Sequence, residues 1–309
     1  MPRLLPSALF AALLASLYAL YTPSTLSSLP VLTRLKHCMS TTPSLDQVGV
    51  SPLASHAAHG SGDAAGHSVL MDQVVMFGDS ITQGSWVAGG TGAELAHKWQ
   101  RKLDVVNRGL SAEWGIPILK QWLPRSTERL PHIRLLFVWF GANDATLPPS
   151  PQSITLERFK ENLNTIHTLL SSPSSPYSSP STQLVYITPP PVDAEARNAE
   201  LASRDPPRAP DRDRERTRLF AEAVKDVARE RGVPSVDVWS AVTREAEERD
   251  GGKLGRYLGD GLHLTAEGYR VVTAEVVKMI ERDLPHLHWD KLDQTFPHWT
   301  AHIPAEKRF

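Results

Sequence analysis

Three short polar segments of the chain hold residue types that can carry out nucleophilic acyl chemistry. Ser80 follows the apolar residues 74–77 in VVMFGDSITQG, and Asn143 follows a second apolar run in FGAND. Asp260 and His263 lie three residues apart in DGLHL, nearer the C-terminus. A serine that attacks an ester needs a base, a group that orients the base, and donors for the oxyanion. His263, Asp260 and Asn143 are residue types that supply these three needs.

The segments that must position these residues alternate between strand-like and helix-like patterns from about residue 72. Apolar runs predict strands at 74–77, 104–107, 134–140, 183–188 and 235–238, and amphipathic patterns predict helices around 91–102, 115–123, 155–170, 213–231 and 265–282. Strands that alternate with helices imply a parallel sheet with helices on both faces. The expected fold class is therefore α/β, a three-layer α/β/α sandwich of the flavodoxin-like kind with about five central strands.

Each candidate residue also has an ordinary structural interpretation. A serine after Gly-Asp at the end of a strand is commonly a turn residue or a helix cap, and G-x-N-D is a common turn sequence. His263 can be a cap or a packed histidine, and Asp79 can simply bond to nearby backbone. Joint placement favours the chemical interpretation, because ligands of such a sheet bind beyond the carboxyl ends of its strands, where these residues fall.

The composition and the remaining motifs favour no other class of function. The 309 residues carry a net charge of −1, and the mixed run at 211–216 predicts a solvated helix face rather than a nucleic-acid patch. Cys38 is the only cysteine, which excludes an intrachain disulfide and a CxxC metal site. His286 and His288 lack an evident third ligand, so we expect a surface tail and no metal.

The two ends of the chain differ from its middle. Residues 1–70 predict a hydrophobic segment followed by a low-complexity linker, 71–285 the folded domain, and 286–309 a tail that packs on it. The apolar segment 4–21 resembles a signal peptide or signal anchor, which indicates the secretory pathway or membrane association. The lack of acidic residues before Asp46 leaves a mitochondrial location open, and an unstructured extension would leave a cytoplasmic one open.

The motifs resemble those of a known family, the GDSL or SGNH hydrolases. FGDSITQ, GAND and DGLHLTAEGY look like three of its blocks, and RKLDVVNRGLS, ITPPPV and GVPSVDVW are similar to its isoamyl acetate-hydrolysing esterase branch. The resemblance covers about residues 72–285. It implies an SGNH-type fold with Ser80 as nucleophile, His263 as base and Asp260 as its orienting carboxylate, without a cofactor or metal.

The resemblance also implies an oxyanion hole formed by the Ser80 N–H, the Asn143 amide and a third donor after the second strand. The family's second block usually reads NRG-x-SG, with the donor on its last glycine, and this chain has Ala112 there. Alanine keeps its backbone N–H, so Ala112 can donate if its φ is negative.

The activity implied by the resemblance is hydrolysis of small, acetate-type carboxylic esters through an acyl-enzyme. The expected partner is a small-molecule ester. Two alternatives stay open, an acyltransferase that uses the same triad and a catalytically silent binding protein of the same fold.

Overall fold

A five-stranded parallel sheet forms the centre of the protein. The computed structural model describes residues 69–109, 112–128, 130–296, 298 and 300, with residues 112–114 described by their backbone. The strands are β1 (Gln73–Gly78), β2 (Asp104–Gly109), β3 (Ile133–Trp139), β4 (Gln183–Ile187) and β5 (Ser235–Val236), in the order β2-β1-β3-β4-β5. All four pairings are parallel. The predicted α/β fold class with about five parallel strands is confirmed.

Helices connect the strands and follow the last one. They are α1 (Ser80–Gly84), α2 (Thr91–Lys98), α3 (Ala112–Trp122), α4 (Leu156–Ser171), α5 (Ala194–Ala202), α6 (Arg214–Arg231), α7 (Val238–Asp250) and α8 (Ala266–Asp283), followed by short 3₁₀ turns at Pro285–Leu287 and Trp289–Lys291.

The strand side chains alternate between two hydrophobic cores, one on each face of the sheet. Val74 and Met76 of β1 belong to a core that also holds apolar side chains of α2, α7 and α8. Val75 and Phe77 face the other core, which α3, α4 and α6 cover. Successive side chains of a strand point to opposite faces, so a sheet with a core on both faces needs continuous apolar runs. The three layers follow directly from that pattern.

Several predicted boundaries differ from the observed ones. The sequence predicts a last strand to residue 238, but β5 ends at Val236. The Asp237 carboxylate accepts a hydrogen bond from Ser240 N (3.0 Å) and starts α7 there. The predicted helix 91–102 ends at Lys98, since Arg101 takes the left-handed φ of 64°. Helices α1, α5 and α7 have no counterpart in the sequence prediction.

The prediction of a solvated helix face at 211–216 is wrong for two of its arginines. Arg212 is only 5% exposed, and Arg216 donates to the carbonyl oxygens of Ala145 and Ile154 (3.1 and 2.7 Å). Asp213 caps α6, so the segment is half loop and half helix and its side chains share no single face.

The chain after α8 packs against the end of α2. The Trp99 indole Nε1 donates to Leu287 O (2.9 Å), and Thr295 N donates to Arg101 O (2.9 Å). The Trp99 and Trp289 rings meet edge to face with their centroids 6.1 Å apart. These contacts attach the 3₁₀ turns to the helical layer that contains α2, α7 and α8.

The described residues contain no candidate membrane span and no candidate metal site. The apolar segment 4–21 lies outside the described residues, and none of the helices within them is long and apolar enough to span a bilayer. No cluster of three or more potential metal ligands occurs in the part of the chain that the structure describes.

Candidate active site

The structure brings Ser80, His263 and Asp260 into one hydrogen-bonded chain. The Ser80 Oγ lies 2.9 Å from His263 Nε2, and His263 Nδ1 lies 2.8 Å from Asp260 Oδ2. An ionised carboxylate only accepts, so Nδ1 carries the proton and Nε2 is left to accept from the serine hydroxyl. The His263 side chain is 41% exposed, so its ring is accessible from solvent while it bonds to both partners.

Ser80 is held by a sharp transition from strand to helix. It lies two residues beyond β1 and is the first residue of α1, and Asp79 caps that helix by accepting from Ile81 N (2.9 Å). The Tyr269 hydroxyl of α8 donates to Ile81 O (2.6 Å). The backbone that carries Ser80 is therefore held by hydrogen bonds at the carboxyl end of the sheet.

The Asp79 carboxyl is buried beside the nucleophile. It is 2% exposed, and its burial raises its pKa to about 6, against the lowering effects of the Ile81 N–H, His263 and Arg212. A carboxyl in such a site resists ionisation because charge is costly to bury. The structural role expected for Asp79 agrees with its place as the cap of α1.

The loop between Gly259 and α8 organises Asp260. Its Oδ1 accepts from Leu262 N (3.0 Å) and His263 N (2.7 Å), which closes a tight turn around the carboxylate. Burial acts to raise the pKa of Asp260, but the hydrogen bonds from His263 and Leu262 outweigh it and lower that pKa to about 2. Asp260 thus stays ionised and able to orient the imidazole.

Asn143 lies in the turn after β3, as expected. Its Oδ1 accepts from Arg212 Nη2 at 3.3 Å. Because a guanidinium only donates, this contact identifies the amide oxygen and turns the Nδ2 donor to the opposite side of the amide group. This contact of Arg212 is not predicted from the sequence, where residues 211–216 indicate a solvated helix face.

Ala112 is the first residue of α3. A helical residue has negative φ, so alanine takes this conformation without strain, and the N–H groups of a first helical turn have no partner inside the helix. The adjacent Leu110 and Ser111 lie outside the described residues. Ala112 therefore keeps a backbone N–H group without a partner inside its own helix.

The end of β2 is tied to the nucleophile helix. Asn107 Nδ2 donates to Gln83 O (3.1 Å), and Asn107 Oδ1 accepts from Gly109 N (3.0 Å). A Cβ at Gly109 would lie 2.9 Å from Gln83 N, so only glycine permits this close approach of the two backbones. Asn107 and Gly109 of the N-R-G sequence therefore hold the end of β2 close to α1.

A second arginine, which no sequence pattern predicts at the site, contacts the triad directly. Arg197 of α5 donates from Nη1 to Asp260 Oδ2 (2.5 Å), and its side chain is only 7% exposed. A local sequence pattern cannot predict this contact, because 63 residues separate its two partners.

A serine hydroxyl bonded to an imidazole, itself bonded to a carboxylate beyond a parallel sheet, is the arrangement of the α/β serine hydrolases. Comparison with known proteins gives the family: the model of the GDSL-like lipase/acylhydrolase family matches residues 76–271. The chain belongs to that family, and it is a carboxylic ester hydrolase.

Curated relatives agree with this assignment. The GDSL esterase/lipase At5g62930 of Arabidopsis thaliana is 34% identical over 77% of this chain and 96% of its own length. The isoamyl acetate-hydrolyzing esterase 1 homolog of Bos taurus is 33% identical over 76% of this chain and 90% of its own. The resemblance drawn from the motifs is confirmed.

Solved structures agree on the fold. A lipase/acylhydrolase from Enterococcus faecalis has a TM-score of 0.50 and 24% identity, covering 74% of this chain and all of that one.

Proposed function

We propose that the protein is a serine esterase that hydrolyses small acetate-type esters through an acyl-enzyme on Ser80. The observation that carries this proposal is the continuous chain of hydrogen bonds from the Ser80 hydroxyl through His263 to Asp260. The names of curated relatives, which include isoamyl acetate-hydrolyzing esterase homologs, support the substrate class.

The triad supplies both proton transfers of a double displacement. His263 Nε2 takes the Ser80 proton as Oγ attacks the ester carbonyl, and Asp260 stabilises the imidazolium that forms. His263 then gives this proton to the departing alcohol. Water attacks the acyl-enzyme with the same imidazole as base, which releases the carboxylic acid and restores Ser80.

Three donors stabilise the charge on the carbonyl oxygen in this proposal. They are the backbone N–H groups of Ser80 and Ala112, each at the start of a helix, and Asn143 Nδ2. The Arg212 contact supports the role of Asn143, because it commits the amide oxygen and leaves Nδ2 as the available donor. Removal of one such donor typically costs about 3–4 kcal/mol of transition-state stabilisation.

A fluorophosphonate probe together with p-nitrophenyl acetate turnover tests the nucleophile. The probe should phosphonylate Ser80 Oγ with loss of fluoride, and Ser80→Ala should lower kcat/KM at least ~10³-fold. Ser174→Ala, in an exposed loop, is the matched control and should keep wild-type labelling and turnover. The thermal midpoint of Ser80→Ala should stay near that of the wild type, which separates lost chemistry from lost folding.

Two results would contradict the proposal. A folded wild-type protein that the probe does not label would be a silent binding protein. Acetyl transfer to an added alcohol that outpaces release of acetate at low alcohol concentration would make the protein an acyltransferase. A panel of esters of graded acyl length then defines the preferred substrate.

A further inference from the structure

Within the described part of the chain, the Asp260 carboxylate receives four hydrogen bonds, one of which comes from outside its own loop. Oδ1 takes the backbone N–H groups of Leu262 and His263, and Oδ2 takes the His263 ring. The fourth donor is Arg197 Nη1, which bonds to the same Oδ2 as the imidazole at 2.5 Å. A cation therefore shares the oxygen that orients the proposed catalytic base.

This ion pair is shielded from solvent. The side chains of Arg197 and Asp260 are 7% and 27% exposed, and Arg197 Nη1 also bonds to Glu200 Oε2 at 2.9 Å. Exposed ion pairs contribute little, but pairs withdrawn from water are screened less and interact more strongly. Arg197 therefore interacts with Asp260 under less screening than a fully exposed pair would.

Backbone contacts lock the arginine helix to the same loop. Asp193, the cap of α5, donates from its backbone N to Gly261 O (2.9 Å), and the Arg197 backbone lies directly against Gly261. Arg197 follows one helical turn after this anchor, which places its guanidinium on the carboxylate side of the turn. The position of the guanidinium is therefore set by the fold.

We propose that Arg197 is a positioning residue of the active site, which holds the Asp260 carboxylate against the His263 ring and reduces the negative charge that the ring senses. This inference rests on the proposed function, since it concerns the base of that reaction. Loss of the guanidinium leaves Asp260 with its full charge, which favours the protonated imidazole. Protonated His263 is inactive as a base, so activity should then require a higher pH.

Other charged groups act on His263, Asp260 or Arg197. Asp79 before α1 interacts with His263, Glu200 and Arg204 interact with Asp260, and Arg212 before α6 interacts with Arg197 and Asp79.

The test compares Arg197→Gln and Arg197→Lys in the full chain by two measurements. The first is the pH dependence of kcat/KM, and the second is the ¹H NMR titration of the His263 ring, assigned by its loss in His263→Gln. Arg197→Gln should move both midpoints to higher pH by about half a unit or more, and Arg197→Lys, which keeps the charge, should stay near the wild type.

Two further variants make the outcome decisive. Arg218→Gln removes a guanidinium from an exposed pair with Glu215 and should not move the midpoints. Glu200→Gln removes the competing carboxylate from Arg197 and should shift them in the opposite direction, even if Arg197→Gln fails to fold.

Unchanged midpoints in Arg197→Gln, or in Glu200→Gln if the former does not fold, would overturn the proposal and leave Arg197 as a structural clamp. The NMR titration needs no turnover, so an inactive wild type would refute the esterase without deciding the role of Arg197.

Discussion

At the scale of single residues, Asp79 is a carboxyl that folding forces away from its preferred ionised state. Its pKa rises from 3.8 to about 6 because it is buried. Between these two values the unfolded chain loses a proton that the folded chain keeps. The stabilisation from protonated Asp79 is thus complete below pH 3.8 and is lost as pH rises through about 6.

Asp79→Asn should remove this loss, because asparagine stays neutral and caps a helix as well as aspartate does. We expect the variant to gain up to about 3 kcal/mol of unfolding free energy relative to the wild type between pH 4 and pH 8. Urea unfolding across that range measures the difference. Asp290→Asn, at a side chain that is 75% exposed, is the control and should run parallel to the wild type. If the unfolding free energy of Asp79→Asn also changes with pH in the same way as that of the wild type, folding does not raise the pKa of Asp79.

At the scale of elements, the strands were readable from the sequence and some helices were not. Residues such as Phe77 and Phe137 are fully buried, so central strands had to be continuous apolar runs. Helix α5 buries only Arg197 and Leu201, and a buried charge interrupts the apolar stripe that would reveal the helix. Its capping residue Asp193 was the remaining signal.

The residues of the candidate site also fall into two groups, those that the sequence predicts and those that it does not. Ser80, Asp260 and His263 could be named because short local motifs carry them, and sheet topology then determines that strand ends meet. Arg197 and Arg212 could not, since each pairs with a partner more than 60 residues away and charge alone predicts exposure. Tertiary packing determines which arginines are buried, and a local sequence pattern does not predict that packing.

The contact between α5 and the Asp260 loop gives a prediction for Gly261. Gly261 has φ of 79°, and a Cβ there would lie 2.5 Å from Arg197 N, whereas Gly251, with φ of 59°, has no atom within 4 Å of such a Cβ. Gly251→Ala should therefore cost about 1 kcal/mol for its left-handed backbone and leave turnover intact. Gly261→Ala should cost clearly more and lower kcat/KM, because α5 must move away from the loop.

Urea unfolding and p-nitrophenyl acetate turnover of both glycine variants check this expectation. Equal losses in the two variants would mean that backbone strain alone matters, and that the close fit between α5 and the loop contributes nothing.

At the scale of the whole molecule, the two ends of the described domain differ in what they contribute. Asp72, which directly precedes β1, forms an ion pair with Arg134 of β3. The core residues of the described part begin at Val74. At the other end, Leu287 is 1% exposed and belongs to the same core, and its carbonyl accepts from the buried Trp99 indole. The proposed domain boundary at residue 71 predicts that a chain starting at Met71 keeps its unfolding midpoint and turnover.

A chain that stops at Leu284 should behave very differently. It loses the Leu287 side chain from the core and leaves the Trp99 Nε1–H without its acceptor, each of which costs about 1–3 kcal/mol. It also exposes the Trp99 face on which Trp289 packs. Calorimetry on the two truncated chains and the full chain measures the asymmetry. A Met71 start that unfolds earlier than the Leu284 stop would show that the domain extends into the N-terminal segment, and would move its proposed boundary.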